Sequence, residues 1–384
     1  MEESRMISQS RLVEEFMELV RVDSETLHEQ EICRVLKEKF SSLGLQVEED
    51  DTTKVTGHGA GNLIIKLEAS GADAAPTIFF TSHMDTVTPG RGIKPQLDDD
   101  GYIRSDGTTI LGSDDKAGIA AMLEAIRVIQ EQKLTHGPVQ FIITVGEEAG
   151  LNGARALDPQ KLEAVYGYAL DSNGKIGDIA VAAPTQAKIT MQVIGKSAHA
   201  GVNPEDGISA IQVAAKAISR MSLGRIDKET TANIGRFEGG GATNIVCDHV
   251  RLDAEARSIV QEKLDKQIES MKQALESAAS DYGAQSVFES EIIYPAFSFS
   301  DGDEVVELAK KAIAQIGETP RLFPSGGGSD ANIFNGFGVP TVNLAVGYEH
   351  IHTTKEQIKA EDLAKTARLV VELIVEAGRS TPQP

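Results

Sequence analysis

Apolar positions recur along this chain with two periods, and the alternation of those periods predicts an α/β layer fold around a central sheet. Leu12, Phe16, Leu19 and Val20 fall on one face of a first helix, and Ile32, Leu36 and Phe40 on one face of a second. Apolar runs at 62–65 and 77–80 read as strands. A long helix follows, with Ile119, Met122, Leu123, Ile126 and Ile129 in its apolar stripe, and further strands are expected at 139–143 and 166–170.

The pattern changes after Ala183-Pro184. A strand at 188–194, a helix carrying Ile211, Ala214, Ala215, Ile218 and Met221, strands at 233–237 and 250–256, a helix repeating Leu264, Ile268, Met271 and Leu275, and a strand at 287–293 follow in turn. The order β-α-β-β-α-β is that of a ferredoxin-like unit. From 303 onward a helix with Val305, Leu308 and Ile313, a strand at 340–344 and a helix at 363–375 resume the α/β theme. A first domain made of 1–184 and 295–384, interrupted by an α+β insert at 185–294, accounts for this order. No internal repeat or low-complexity linker is visible.

Composition agrees with two domains, because 384 residues exceed the size at which one core stops growing, and 41% of them are hydrophobic. Thirty-seven basic against 58 acidic residues leave a net charge of −21. That charge argues against nucleic acid or an anionic membrane as partner. Cys33 and Cys247 lie far apart in sequence, so neither a disulfide framework nor a thiolate metal cluster is indicated. The acidic start Met1-Glu2-Glu3-Ser4 has no apolar signal region, and no apolar run is long enough to span a bilayer. A soluble cytoplasmic protein is expected.

The candidate chemistry sits at the ends of the predicted strands and at the start of the long helix. His83-Met84-Asp85 follows the run 77–80, and alternation puts residues 83 and 85 on one side of an extended chain. Such a histidine can bind a metal through one ring nitrogen while a carboxylate accepts the other N–H; a surface pair at a strand end is the plainer alternative. Asp114-Asp115-Lys116 opens the long helix, where simple capping explains one aspartate but not the run 112–118 as a whole. A carboxylate there can bridge two cations. Glu147-Glu148 follows a strand ending at Val145, where open α/β sheets place their ligand crevice. One of these glutamates can ligate a metal while the other acts as general base. Asp171 ends the next strand in the same way, and His350 and His352 lie after the last one. An oxygen-rich donor set with one imidazole per metal suits zinc, cobalt or manganese.

The motifs Ser82-His83-Met84-Asp85-Thr86-Val87, Gly112-Ser113-Asp114-Asp115-Lys116-Ala117-Gly118, Gly146-Glu147-Glu148 and Ser197-Ala198-His199-Ala200-Gly201, in this order, resemble those of the co-catalytic zinc exopeptidases, the family of peptidase T, glutamate carboxypeptidase and succinyl-diaminopimelate desuccinylase. The peptidase T-like branch is the nearest match, and the likeness runs through nearly the whole chain. It implies a phosphorylase/hydrolase-like catalytic domain with a central mixed sheet and an inserted ferredoxin-like lid and dimerisation domain. It also implies two divalent metals. His83 and Asp171 would hold one, Glu148 and His352 the other, and Asp114 would bridge them, with Asp85 orienting His83 and Glu147 as general base. A cis peptide at Asp114-Asp115 is implied as well. His352 is chosen over His350 because the family's last ligand is followed four residues later by a glutamate, here Glu356.

In the insert, the resemblance makes His199 the lid histidine that reaches an active site across a homodimer, with Asn244 and Arg257 as substrate contacts. Gly327-Gly328-Ser329-Asp330 resembles the loop that binds the substrate carboxylate, so Gly328 and Ser329 are further candidates. Peptidase T has an arginine just before that loop where this chain has Gly326, which puts strict tripeptide specificity in question; Arg321 and Arg257 are candidate substitutes. His28, His58, His136 and His249 are read as solvated side chains of polar segments, and the glycine run at 57–61 precedes a strand rather than a helix and so is no phosphate loop. The expected activity is hydrolysis of a terminal bond in short peptides. A deacylase of N-acyl amino acids with the same site and a non-catalytic metal-dependent peptide-binding protein are the alternatives.

Overall fold

The computed structural model describes residues 6–379, and the chain divides into two compact units. The first runs to Val181 and resumes at Phe299–Ser325 and from Ser329 onward; the second comprises Ala182–Ser298 and Gly326–Gly328. No helix of the described residues is long and apolar enough to cross a membrane.

The main sheet has nine strands, in the order Gln46–Glu49, Leu63–Leu67, Val139–Thr144, Ile78–His83, Tyr166–Ser172, Thr341–Ala345, Asp178–Ala183 and Phe297–Ser298, with Arg321–Pro324 added on Asp178–Ala183. The four strands from Val139–Thr144 to Thr341–Ala345 in this order are parallel, and their outer neighbours are antiparallel. Strand alternation decides the packing. Phe80, Phe141 and Tyr168 join the large core with the helices Gln9–Arg21, Ser113–Gln132 and Ala360–Arg379, whereas Phe79 and Ile142 turn to a smaller cluster with Phe334. Each such fully buried side chain contributes about 2 kcal/mol.

The second unit has its own sheet, in the order Gly224–Arg225, Thr230–Gly239, His249–Ser258, Thr185–Ile194, Gln285–Tyr294, all antiparallel. Setting aside the two-residue edge piece, this is the strand arrangement of a ferredoxin-like unit. One face of the strands, with Ile189, Met191, Val193, Leu252 and Ala256, meets Val213 and Ala217 of Ala210–Arg220 and Leu264, Met271 and Leu275 of Gln261–Tyr282.

One contact ties the long helix to the sheet. A β-carbon on Gly118 would lie 2.2 Å from Ser82 Oγ and 2.9 Å from the Leu170 carbonyl oxygen. Gly118→Ala must push the helix away from two strands that carry site residues, and is expected to cost roughly 2 kcal/mol of stability, read from urea unfolding. A loss of only a few tenths would show that the helix shifts freely.

Candidate active site

Every cluster singled out in the first unit comes to one edge of the sheet. His83 ends its strand, Asp171 lies at the end of the next, Glu147 and Glu148 follow Val139–Thr144, and His352 follows Thr341–Ala345. These are the carboxyl ends of the four adjacent parallel strands, where backbone carbonyls end and loops diverge to leave a crevice. Asp114 arrives from the other direction, at the head of Ser113–Gln132.

Asp114 does not cap that helix. Its backbone (φ −83°, ψ 101°) and that of Asp115 (φ −123°, ψ 33°) are non-helical, and the peptide between them is cis, as the family resemblance implied. The bent turn sends the Asp114 carboxylate to two imidazoles at once. Oδ1 lies 3.1 Å from His83 Nε2 and Oδ2 lies 3.2 Å from His352 Nε2. Asp171 Oδ1 is 3.7 Å from His83 Nε2, and Glu148 Oε1 is 2.8 Å from His352 Nε2. Donor atoms of His83, Asp114 and Asp171 lie within 4.8 Å of one another, as do those of Asp114, Glu148 and His352, and those of His83, Glu147 and Glu148. Two ligand triads sharing one carboxylate are the donor set of a dinuclear site, so the residues present fit a pair of divalent cations. His350 is exposed and its carbonyl accepts from the Thr353 hydroxyl at 2.7 Å. Both histidines have left-handed backbone, φ 58° and 62°, which non-glycine residues adopt where their surroundings impose it.

Electrostatics describe the same crowding. Burial raises the Asp171 carboxyl to about 7; the His83 hydrogen bond opposes this and the Asp114 and Glu148 charges add to it. Burial also holds Glu147 well above the usual carboxylate range, with Asp171 and Asp330 adding to the effect. Hydrogen bonds to Asp114 and then Glu148 raise His352 to about 10. For His83, burial works downward but Asp114, Asp171 and Asp85 prevail and hold it well above 6.5. A buried group of carboxylates that lift one another is a place where positive charge is stabilised.

Asp85 orders both sides of the cluster. Its backbone carbonyl lies 3.0 Å from His83 Nδ1, which leaves Nε2 to face Asp114. Its carboxylate accepts the backbone N–H groups of Glu147 at 3.0 Å and Glu148 at 3.4 Å, and the Thr26 hydroxyl at 2.7 Å. The contact to His83 is thus made mainly by the carbonyl, while the carboxylate, 3.5 Å from Nδ1, serves the glutamate loop.

Several supporting residues escaped the sequence reading. Glu356, which served there only as a spacing mark, is buried and accepts from Leu111 N (2.8 Å), Gly112 N (2.9 Å), Ser113 Oγ (2.6 Å) and Asp114 N (3.1 Å). The loop of His352 therefore clamps the turn of Asp114. The Asn343 side chain pairs with both backbone groups of Asp171 (3.0 and 2.8 Å) and donates to Ser329 Oγ at 3.1 Å. Tyr348 donates to Asp171 Oδ1 at 3.1 Å. Asp330, which the sequence reading named only as the end of the loop motif 327–330, is raised to about 6 by burial and pairs with the Thr144 hydroxyl. None of these has a local sequence signature, since each partner is distant along the chain.

The remaining candidates belong to the second unit, except Arg321 and Ser329, the latter capping the helix Asp330–Gly336. His199 and Asn244 are exposed neighbours: Ala200 N donates to the Asn244 carbonyl at 2.9 Å, and His199 bridges Ile245. Arg257 is held by Glu255 (2.9 and 3.0 Å) and reaches the Tyr294 hydroxyl at 3.3 Å. The Tyr294 ring lies against Gly328, where a β-carbon would meet Cζ at 2.2 Å. Arg321, the other substitute for a loop arginine, forms a bidentate pair with Asp178. Two histidines read as solvated are not. His58 and His136 are 2% and 3% exposed, because His58 pairs with buried Glu29 and His136 bonds the Gly137 carbonyl under Gly378. His28 and His249 are exposed.

Residues 79–376 match the model of peptidase family M20/M25/M40, and the chain belongs to that family. Among solved structures, aminopeptidase PepT from Bacillus cereus ATCC 10987 is 64% identical with a TM-score of 0.91, covering 97% of this chain and 99% of that one. A tripeptidase from Staphylococcus aureus subsp. aureus Mu50 is 49% identical with a TM-score of 0.95, covering 98% and 100%. The uncharacterized protein YqjE of Bacillus subtilis (strain 168) is 62% identical over 374 residues, 97% of this chain and all of its own length.

Proposed function

We propose that this chain is a peptidase T-like aminopeptidase or tripeptidase that hydrolyses a terminal bond of short peptides. It is an enzyme, a metal-dependent peptidase of its family. The observation that carries the reading is Asp114, whose two oxygens each face one imidazole while the Glu147 carboxylate belongs to the same cluster. Similarity to an aminopeptidase and a tripeptidase over nearly full length supports it.

His83 and Asp171 would hold one cation and Glu148 and His352 the other, with Asp114 between them. We take zinc as the metal, with cobalt or manganese as substitutes. Divalent cations in this position supply Lewis-acid polarisation of the scissile carbonyl and acidify water. Glu147 takes the proton of the attacking water and hands it to the leaving amine. Asp85 keeps the Glu147 amide and the His83 tautomer in place throughout. His199 of the partner subunit donates to the developing oxyanion, and Asn244, Arg257, Gly328 and Ser329 bind substrate.

A homodimer is proposed with the second unit as lid and dimerisation domain. In that unit the strand Thr230–Gly239 pairs with His249–Ser258 on one side, while on its other side Gly224–Arg225 covers only Thr231 and Ala232 and no described strand covers 233–239; Val202, Phe237 and Ile245 are exposed. An open edge of this kind pairs readily with a second copy. A light-scattering mass equal to one chain would remove this part. The two free cysteines, one of them buried, suit a reducing cytoplasm.

A panel of di- and tripeptides against N-acetyl and N-succinyl amino acids, run with zinc, cobalt and manganese, tests the activity. Turnover of peptides with a free amino terminus, abolished by chelation and restored by metal, is expected. Turnover of the acylated amino acids alone would make the chain a deacylase, a reading favoured only by Gly326 standing where peptidase T has an arginine.

A further inference from the structure

His58 lies between the short helix Thr53–Thr56 and the strand Leu63–Leu67, with its ring enclosed by polar partners. Nδ1 is 2.7 Å from Glu29 Oε1, and Nε2 is 3.3 Å from Asn152 Nδ2. Glu29 has no exposed surface and also accepts the backbone N–H groups of Leu27 and Gly59, each at 2.9 Å. An amide N–H facing Nε2 makes that nitrogen the acceptor, so Nδ1 carries the proton that points at Glu29.

The same ring packs against Gly146. A β-carbon there would lie 2.2 Å from His58 Cε1 and 2.4 Å from Nε2, and Gly146 has φ +59°. Gly146 is the residue between Val145 and Glu147, and its carbonyl accepts from Asn152 N at 3.0 Å. The next carbonyl, that of Glu147, accepts from Gly150 and Leu151 at 2.9 and 2.8 Å. His58 and Asn152 therefore hold the turn at Gly146, while Asp85 takes the N–H groups of Glu147 and Glu148. A buried imidazole–carboxylate pair is a weak source of stability, because desolvation offsets most of the attraction. Its placement against the residue before the proposed base is what demands an account.

We infer that His58 is a positioning residue for Glu147. Fixed by Glu29 and Asn152, it sets the backbone at Gly146 and so the direction in which the Glu147 carboxylate meets the attacking water. The inference rests on Glu147 being the general base.

The test uses the full-length, metal-loaded chain carrying His58→Ala, His58→Gln, Asn152→Ala, Gly146→Ala, or His58→Ala together with Gly146→Ala. A displacement of about 1 Å at a reacting group costs on the order of 100-fold. His58→Ala is accordingly expected to lower kcat by roughly 10- to 100-fold with KM within about two-fold and both metals retained. His58→Gln should recover part of that loss. Gly146→Ala should be less harmful on the His58→Ala background than alone, because the 2.2 Å clash is gone. In the metal-free chain, amide exchange at 146–148 should quicken in His58→Ala while that of Ile78–His83 stays unchanged. The inference is overturned by a folded, two-metal His58→Ala enzyme with wild-type kcat, by strict additivity with Gly146→Ala, or by losses that follow metal content. Should His58→Ala not fold, half-buried Asn152 decides: a lower kcat at constant KM in Asn152→Ala supports the inference, and an unchanged kcat ends it. Failure of the underlying reading is separately visible, because Glu147→Ala would then retain turnover whatever His58 does.

Discussion

Glu147→Ala is expected to lose turnover by roughly 10²- to 10⁴-fold while both metals remain bound. The proposed ligand triads His83, Asp114, Asp171 and Asp114, Glu148, His352 do not include Glu147. Its backbone is anchored by Asp85 and the turn at 146–151, so removing the carboxylate leaves the frame standing. What goes is the proposed general base, the group that on this reading accepts the proton from water and returns it to the leaving amine. Steady-state kcat on a tripeptide, paired with metal content per chain by atomic emission, separates the two effects. Wild-type turnover in a two-metal variant would end the assignment, and parallel loss of metal would make Glu147 a ligand instead.

Glu356→Gln should have the largest effect on the folded state. Each oxygen of Glu356 serves two donors, which an amide cannot do because one of its ends is itself a donor. Two donors of the 111–114 turn would face an NH₂ group, at a cost of about 1–3 kcal/mol each. A total of roughly 3–5 kcal/mol is expected, measured by urea unfolding of the metal-free chain. Metal binding should weaken by about 10- to 100-fold, since the turn presents Asp114 and the opposite end of the clamp leads back to His352. Calorimetric titration with zinc reads this directly. Unchanged affinity with lowered stability would show that Glu356 holds the loop without setting the ligands.

The elements that position the ligands were readable from periodicity because their packing is local in pattern. The strand of Phe79 and Phe80 sends alternate side chains to two clusters, and the helix of Ile119, Met122 and Ile126 turns one stripe to the core. The inserted β-α-β-β-α-β unit was equally plain, since it is built from consecutive elements. Failures fell on single polar residues. His58 and His136 sit among glycines and polar neighbours, yet both are buried, because a partner remote in sequence satisfies each ring or a glycine lets another segment approach. Asp114 offered a capping explanation that its non-helical backbone removes.

By itself, the sequence determined which residue types were available at strand ends, and motif order carried the family resemblance, because metal chemistry needs carboxylates and imidazoles wherever they stand. Tertiary structure decided what spacing cannot express. It brought Asp114 Oδ1 to one imidazole and Oδ2 to another, turned Asp85 from partner of one histidine into anchor of the glutamate loop, and made Glu356 a clamp on residues more than 240 positions away. The physical reason is that a hydrogen bond or a shared ligand depends on ångström-scale distance and direction. Parallel strands joined by long crossovers set those quantities between segments whose separation along the chain carries no trace of them.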